Sequence, residues 1–390
     1  MNKFVKLIKY IIELLKYIIL YPIAIILYSN KSIYIISERG YDARDNGYCF
    51  FKYMREKYRK LNCYYVITKN SADYEKVSSL GNIIIYRSIK HYLYFIAAKY
   101  KISTHVYGYT TYSDFYYKIE KYLPFYGKKI FLQHGITKDD LPMLYKENTN
   151  LDLFCTASRY EYEFIINNFH YDKGVVVQTG FARFDALHNE NFENQILIMP
   201  TWRSEISKYS EDKFKKTDYY KNWMEIINND KLIKKLEDNN ITLIFYLHIE
   251  FQKYAKLFYS SSENIIIATF EDYDVQDLLL KSKLLVTDYS SVFFDFSYMN
   301  KPCLYYQFDL EQYRKNHYKK GYFDYETMGF GDVIYKHDDL ISKVNNCIDN
   351  NFLLSKKYES RINDFFDLKD MNNCERIMNA ISKIGDECEK

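Results

Sequence analysis

The sequence predicts an α/β protein of two doubly wound parallel-sheet domains facing a central cleft, with an N-terminal amphipathic or hydrophobic helix ahead of them. Three observations carry this. At 390 residues the chain exceeds one ordinary core. From residue 32 onward short apolar runs alternate with helical patterns, the signature of parallel sheets wrapped by helices. Polar clusters recur where those runs end, and in open α/β sheets such strand exits line ligand clefts.

Taken in order, MNKFVKLIKYIIELLKYIILYPIAIILY places Lys3, Lys6, Lys9, Glu13 and Lys16 on one helical face of an otherwise apolar segment. Pro22 interrupts its apolar stretch, which is short for a span of about 20 residues, so a basic helix lying in a membrane interface is expected over residues 1–30. It lacks the small-residue cleavage site of a signal peptide. Strands are expected at Ile33–Ser37, Tyr64–Ile67, Ile83–Tyr86, Ile102–Val106, Ile130–Gln133, Leu151–Thr156 and Val175–Gln178. The second half has them at Ile196–Met199, Leu243–Leu247, Ile265–Ala268, Leu284–Thr287, Leu304–Gln307 and Val333–Tyr335. Ser158 and Glu161 form a capping box that starts a helix. The polar run His188–Gln195 is the natural linker, which divides the chain into domains at 31–190 and 191–390, the second ending in helices and a polar tail, KIGDECEK.

Composition excludes several classes. Hydrophobic residues at 48% and charged residues at 27% describe a globular chain. The net charge of +3, from basic and acidic residues mixed along the chain, gives no basic field, so no nucleic-acid partner is expected. Seven scattered cysteines without a C-x-x-C pair suit reduced thiols in a cytoplasm, with no zinc site or other bound metal.

Four strand exits hold the candidate site residues. His134-Gly135 follows Ile130–Gln133; an imidazole there, with an ordinary pKa near 6.5, suits proton transfer, and Gly135 allows close backbone approach. Arg203 follows Ile196–Met199 and carries a planar fork suited to phosphate. His248 follows Leu243–Leu247. Asp288, Ser290 and Ser291 follow Leu284–Thr287, the serines starting a helix whose free N–H groups favour a phosphate. Each alone has an ordinary alternative: a surface ion pair for Arg203, a core histidine for His248, an N-cap for Ser290. Glu38, Arg39, Asp42 and Asp45, after the first strand, suggest contacts to an acceptor.

These residues also carry a family resemblance. QHG at 133–135, TGFARFD at 179–185, PTWR at 200–203, DVQDLL and TDYSSVFFDF between 274 and 296, and FDLEQYR at 308–314 followed by GYFDY resemble the CDP-glycerol glycerophosphotransferase family, which includes teichoic acid primases and polymerases. The resemblance runs from about residue 32 to about 335. It implies a GT-B-like fold with an acceptor-side domain at 31–190 and a CDP-polyol donor-binding domain at 191–390. It implies transfer of a polyol phosphate, glycerol phosphate first among them, to a hydroxyl of a lipid-linked glycan or polymer, releasing CMP, in teichoic acid or capsular polysaccharide synthesis. His134 would then be the base, with Arg203, His248, Ser290 and Ser291 on the donor's diphosphate. Two positions depart from the family pattern: Ile249 stands where proline usually follows the second histidine, and Ile136 where threonine commonly follows the glycine. No cofactor is implied beyond the CDP-polyol substrate, and a divalent-metal requirement and a homo-oligomer are left open. The expected location is the cytoplasmic face of the bacterial cell membrane, peripheral or monotopic. Two rival readings share the phosphate site: a GT-B glycosyltransferase using a sugar nucleotide, and a non-catalytic membrane-associated binding protein.

Overall fold

The computed structural model describes residues 3–120, 122, 125–188, 192–316 and 318–386. All thirteen expected strands form, in two parallel sheets. The first contains β1 (Ile33–Ser37), β2 (Asn62–Ile67), β3 (Ile83–Ile85), β4 (Tyr100–Ser103), β5 (Lys128–Phe131), β6 (Leu153–Thr156) and β7 (Val176–Gln178), ordered β3-β2-β1-β4-β5-β6-β7. The second contains β8 (Gln195–Met199), β9 (Thr242–Tyr246), β10 (Ile265–Ala268), β11 (Leu284–Thr287), β12 (Cys303–Tyr306) and β13 (Gly331–Ile334), ordered β10-β9-β8-β11-β12-β13. Order reverses beside β1 in one sheet and beside β8 in the other, the switch point of a doubly wound fold. Every residue of β1 and of β8 is buried, because helices cover both faces of a parallel sheet.

Two compact units follow from this. The first joins Met1–His134, Pro142–Ala186 and Asp370–Lys390; the second joins Gly135–Leu141 and Leu187–Lys369. The unit boundary near 186 stands close to the expected 190, but the last helix, Asn373–Asp386, corrects the assignment of the whole C-terminus to the second domain. Its Cys374, Ile377 and Ile381 sit in the apolar core that contains Ile102, Ile130 and Leu153 of the first sheet. Its first turn is tied down by Asp185, which accepts from the backbone N–H groups of Asn373 (2.9 Å) and Cys374 (2.8 Å). The expected polar tail is therefore helical as far as Asp386, and its residues 387–390 lie outside the described residues, as do residues 189–191 of the expected linker and residues 1 and 2.

The helix α1 (Lys3–Tyr28) runs through Pro22 unbroken, and by length and composition Phe4–Tyr28 is sufficient to cross a membrane. Its charges lie along the side that packs on the first unit, where Lys9 is exposed and Lys6 and Lys16 are partly so. Lys6 reaches Asp114 (3.4 Å), Lys16 pairs with Glu13 (2.9 Å), and Glu13 accepts from the Tyr92 hydroxyl (2.6 Å). Tyr17 and Ala24 are buried on this same side, with the Tyr17 hydroxyl bonded to Thr111 (2.7 Å). The opposite side is apolar and open: Phe4, Ile11, Leu15, Ile18 and Ile19 are each at least half exposed, and Ile26 is 81% exposed.

Candidate active site

In the first unit the loop after β1 is built around a buried carboxylate. Glu38 is 2% exposed, and its oxygens accept the backbone N–H groups of Arg44 (2.9 Å), Asp45 (2.9 Å) and Tyr48 (3.0 Å). Burial, with the neighbouring Asp45 and Asp42 carboxylates, pushes its pKa up to about 8 against the pull of these donors. Glu38, expected to contact an acceptor, is thus closed in by its own loop, where it shapes the start of α2 (Asn46–Lys57). Asp45 caps α2 and pairs with Arg183 (2.7 Å); Arg39 pairs with Asp42. Among the four polar residues expected to meet an acceptor, Asp42 retains a buried oxygen, Oδ1, with no partner among the described residues.

The exit of β5 is held from two directions. The ladder ends at Phe131, two residues before the expected Gln133, because Gln133 turns into the left-handed region at φ +60°. Its side-chain amide donates to the Cys155 carbonyl (2.7 Å) and to Glu161 (3.0 Å), the capping-box glutamate whose other oxygen accepts from Ala157 N–H (2.7 Å). Asn46, fully buried, donates to the Gln133 carbonyl (2.8 Å) and accepts from the Arg183 N–H (3.0 Å). The backbone leading into His134 is therefore over-determined, as strained positions at functional sites are.

His134 itself keeps an exposed edge. Its ring lies parallel to that of His105, 4.8 Å between centroids and 11° between planes. Crowding by surrounding side chains comes first and repulsion from the Arg183 and Arg39 guanidiniums second in pushing its pKa down to about 4, against a hydrogen bond from the ring to the Thr104 carbonyl. The imidazole is neutral at pH 7. A neutral imidazole keeps one ring nitrogen as an acceptor, the state a general base requires.

In the second unit Arg203, expected on the donor's diphosphate, is engaged within the protein. It is 2% exposed and every arm of its guanidinium is engaged: Nε with Asp309 (2.8 Å), one terminal nitrogen with Asp288 (2.8 Å) and Asp309 (3.0 Å), the other with the Thr201 carbonyl (2.8 Å). Burial alone would lower its pKa, but Asp288 and Asp309 hold it charged and raise it further. Tyr289 and Tyr313, stacked on each other at 3.8 Å, lie 4.9 and 5.1 Å from the guanidinium carbon. Arg203 thereby fastens the exits of β8 and β11 to the loop after β12. Asp288 is equally structural: fully buried, it accepts from Thr201 N–H (2.8 Å) as well.

The other second-unit residues are placed as a binding group requires. His248 follows β9, half-buried, its ring 6.1 Å from that of Trp202 at 22°. Its Nδ1 accepts from Glu250 N–H (3.2 Å), so the neutral ring carries its proton on Nε2 as a donor. Ser290 and Ser291 are half-buried just before the helix Val292–Tyr298, and Ser290 Oγ accepts from Val292 N–H (3.3 Å), leaving its own hydroxyl hydrogen to donate elsewhere. Gly135 belongs to this unit, and its need for glycine comes from Ser291: a Cβ there would stand 2.8 Å from Ser291 Oγ. The residues after it are fixed by charge, buried Lys138 pairing with Asp139 and Asp139 with Arg314 (2.7 Å). Among the described residues no group of three or more His, Cys, Asp or Glu is placed to hold a metal ion.

Four residues of this arrangement went unremarked in the sequence: His105, Arg183, Asp309 and Arg314. The last three lie inside the motifs TGFARFD and FDLEQYR, where an ion-pair role has no sequence signal. His105 had one, and it was hidden by placing the strand end at Val106; β4 ends at Ser103, which makes His105 a strand-exit residue like the others.

Two doubly wound parallel sheets with polar side chains gathered at their strand exits define a GT-B-like α/β protein. The chain belongs to the CDP-Glycerol:Poly(glycerophosphate) glycerophosphotransferase family, whose profile matches residues 19–383. It is 35% identical to the minor teichoic acid biosynthesis protein GgaB of Bacillus subtilis over 91% of this chain and 40% of that one. Its identity to the teichoic acid poly(glycerol phosphate) polymerase of Bacillus subtilis is 23%, over 90% of this chain and 49% of the polymerase. The chain thus spans about half or less of the length of these relatives. The solved wall teichoic acid polymerase TagF superposes with a TM-score of 0.68 at 18% identity, covering 98% of this chain and 99% of that one.

Proposed function

We propose that this protein transfers glycerol phosphate from CDP-glycerol to a hydroxyl of a lipid-linked cell-surface polymer or its linkage unit, releasing CMP, in teichoic acid synthesis. The observation that carries the reading is His134: a neutral imidazole at a strand exit, its edge open to solvent. Family membership supports the donor and the reaction class. In this mechanism His134 takes the acceptor's hydroxyl proton as the oxygen forms a bond to the β-phosphorus. The bond from that phosphorus to the oxygen bridging to the α-phosphorus breaks, and CMP departs with the bridging oxygen. Donation from His248 Nε2 and from the Ser290 and Ser291 hydroxyls meets the charge that grows on the diphosphate, the kind of stabilisation that contributes most when donors are fixed in advance. Arg203 and Asp288 act by holding that part of the second unit in place. The test is nucleotide release, CMP from CDP-glycerol or CDP-ribitol and UDP from UDP-sugars: turnover of CDP-glycerol is expected, whereas turnover of UDP-sugars alone would make the protein a glycosyltransferase, and donor binding without nucleotide release a binding protein.

The location proposed is the cytoplasmic membrane face, with α1 lying along its own unit on one side and in lipid on the other. The outward apolar face of α1 supports it. Binding to zwitterionic phosphatidylcholine vesicles should then persist in high salt and fall with Ile18→Asp. A requirement for anionic lipid that salt abolishes would restore the basic-stripe reading of the sequence.

A further inference from the structure

β4 neighbours β5 in the first sheet, and its exit delivers a second histidine that the mechanism above does not use. The backbone around His105 is closely held. Its N–H donates to Ser103 Oγ (3.1 Å), that hydroxyl donates to the Glu38 carbonyl (3.1 Å), and the Thr104 hydroxyl is bonded to His105 Nδ1 (3.0 Å). The turn closes at Gly108, where a Cβ would fall 2.0 Å from the Glu38 carbonyl oxygen. The result is a half-buried imidazole laid flat against His134.

A histidine's terminal torsion is broad, so His134 does not set its own ring plane. A neighbour sets it instead: His105 covers one ring face. We propose that His105 is a positioning residue for His134, fixing the plane of the imidazole and excluding water from one face of it. The charged groups around the pair are Arg39, after β1, with its partner Asp42, and Arg183, from the segment Ala182–Ala186, with its partner Asp45. Two cationic imidazoles at this spacing would repel each other as well as both guanidiniums, so the stack favours a neutral His134. That is consistent with the depressed pKa of both rings, in which burial is the largest cause.

The proposal rests on His134 being the base, and the experiment separates the two. In the full-length protein, CMP release from CDP-glycerol is measured for His134→Ala, His105→Ala, His105→Phe and His105→Asn, with CDP affinity by calorimetry and the titration of the His134 ring by NMR. His105→Ala should lose roughly 10- to 100-fold in kcat, the scale of a misplaced reacting group. Its CDP affinity should be unchanged, and the His134 titration should move up toward the ordinary value of about 6.5. His105→Phe, which keeps a stacking ring, should stay within a few-fold of wild type with the titration unmoved. His105→Asn, which keeps a polar group for Thr104 but no ring, should match His105→Ala and replaces it if the alanine variant does not fold. The proposal is overturned if the ring-less variants keep both rate and titration, or if His105→Phe falls as far as they do. Unimpaired turnover by His134→Ala would instead remove the base assignment itself, whatever the His105 variants do.

Discussion

The exits of β5 and β8 look alike in sequence, each an apolar strand running into a short polar cluster with one residue of obvious chemistry. Their structures differ in what is left over. At β5, Asn46, Gln133 and Glu161 absorb the backbone's polar groups, and His134 emerges with an open ring nitrogen and an exposed edge. At β8, Arg203 does the absorbing: two carboxylates and a carbonyl saturate it, and it is 2% exposed. Residue type and position at a strand exit locate a cluster. Whether the reactive group is offered or consumed depends on partners far along the chain, and for Arg203 the decisive one is Asp309.

The sharpest test of this contrast is the pair His134→Ala and Arg203→Ala. His134→Ala should lose about 10² to 10⁴ in CMP release with an unchanged unfolding midpoint. Its pH dependence follows from the depressed pKa: His134 is a base only when neutral, so kcat/KM of the wild-type enzyme should fall as pH drops through about 4, well below an ordinary histidine's limb. An acid limb near pH 6.5 would show the imidazole to be an unperturbed one.

Arg203→Ala should instead appear as lost stability, about 3 to 5 kcal/mol in urea unfolding, because it strands Asp288 and Asp309 in a buried site without their cation. Arg203→Lys should recover little, since an ammonium cannot reproduce the fork. Wild-type stability combined with weakened CDP binding would return Arg203 to the diphosphate.

A smaller effect is expected at Asn46→Ala, which removes the bonds that Asn46 makes to the Gln133 carbonyl and the Arg183 N–H. It should cost about 1 to 3 kcal/mol and lower kcat in addition, through the backbone that carries His134. A stability loss with full activity would break the link between the two.

Gly135→Ala should cost about 1 to 3 kcal/mol by overpacking, most of it regained in the double variant with Ser291→Ala, because the next nearest atom, Ser291 Cβ, stands at 3.5 Å. Additive losses in a double-mutant cycle would show that the glycine serves something other than the serine.

The fold was almost wholly legible in the sequence because parallel strands buried on both faces read as uninterrupted apolar runs, and β1, β10 and β11 appear with the expected ends. The site was legible as a set of places. Its inner wiring was not, since ion pairs such as Arg203 with Asp309 and Asp45 with Arg183 join residues more than a hundred positions apart and leave no periodic trace. The packing of α1 was equally out of reach: a stripe of lysines says that one face is polar, while Tyr17, Ala24 and the Tyr92 hydroxyl show that the helix packs on its unit along that side.

The closing helix of the first unit has a consequence for how the chain is made. Asp185 leaves the ribosome 188 residues ahead of the Asn373 backbone that it caps. At translation rates of about 5 to 20 residues per second, the interval is roughly 10 to 40 s. Throughout it the apolar patch destined for Cys374, Ile377 and Ile381 lies bare. The half of the molecule that is begun first is thus finished last, and the nascent chain carries an uncovered adhesive surface while the entire second sheet is synthesised.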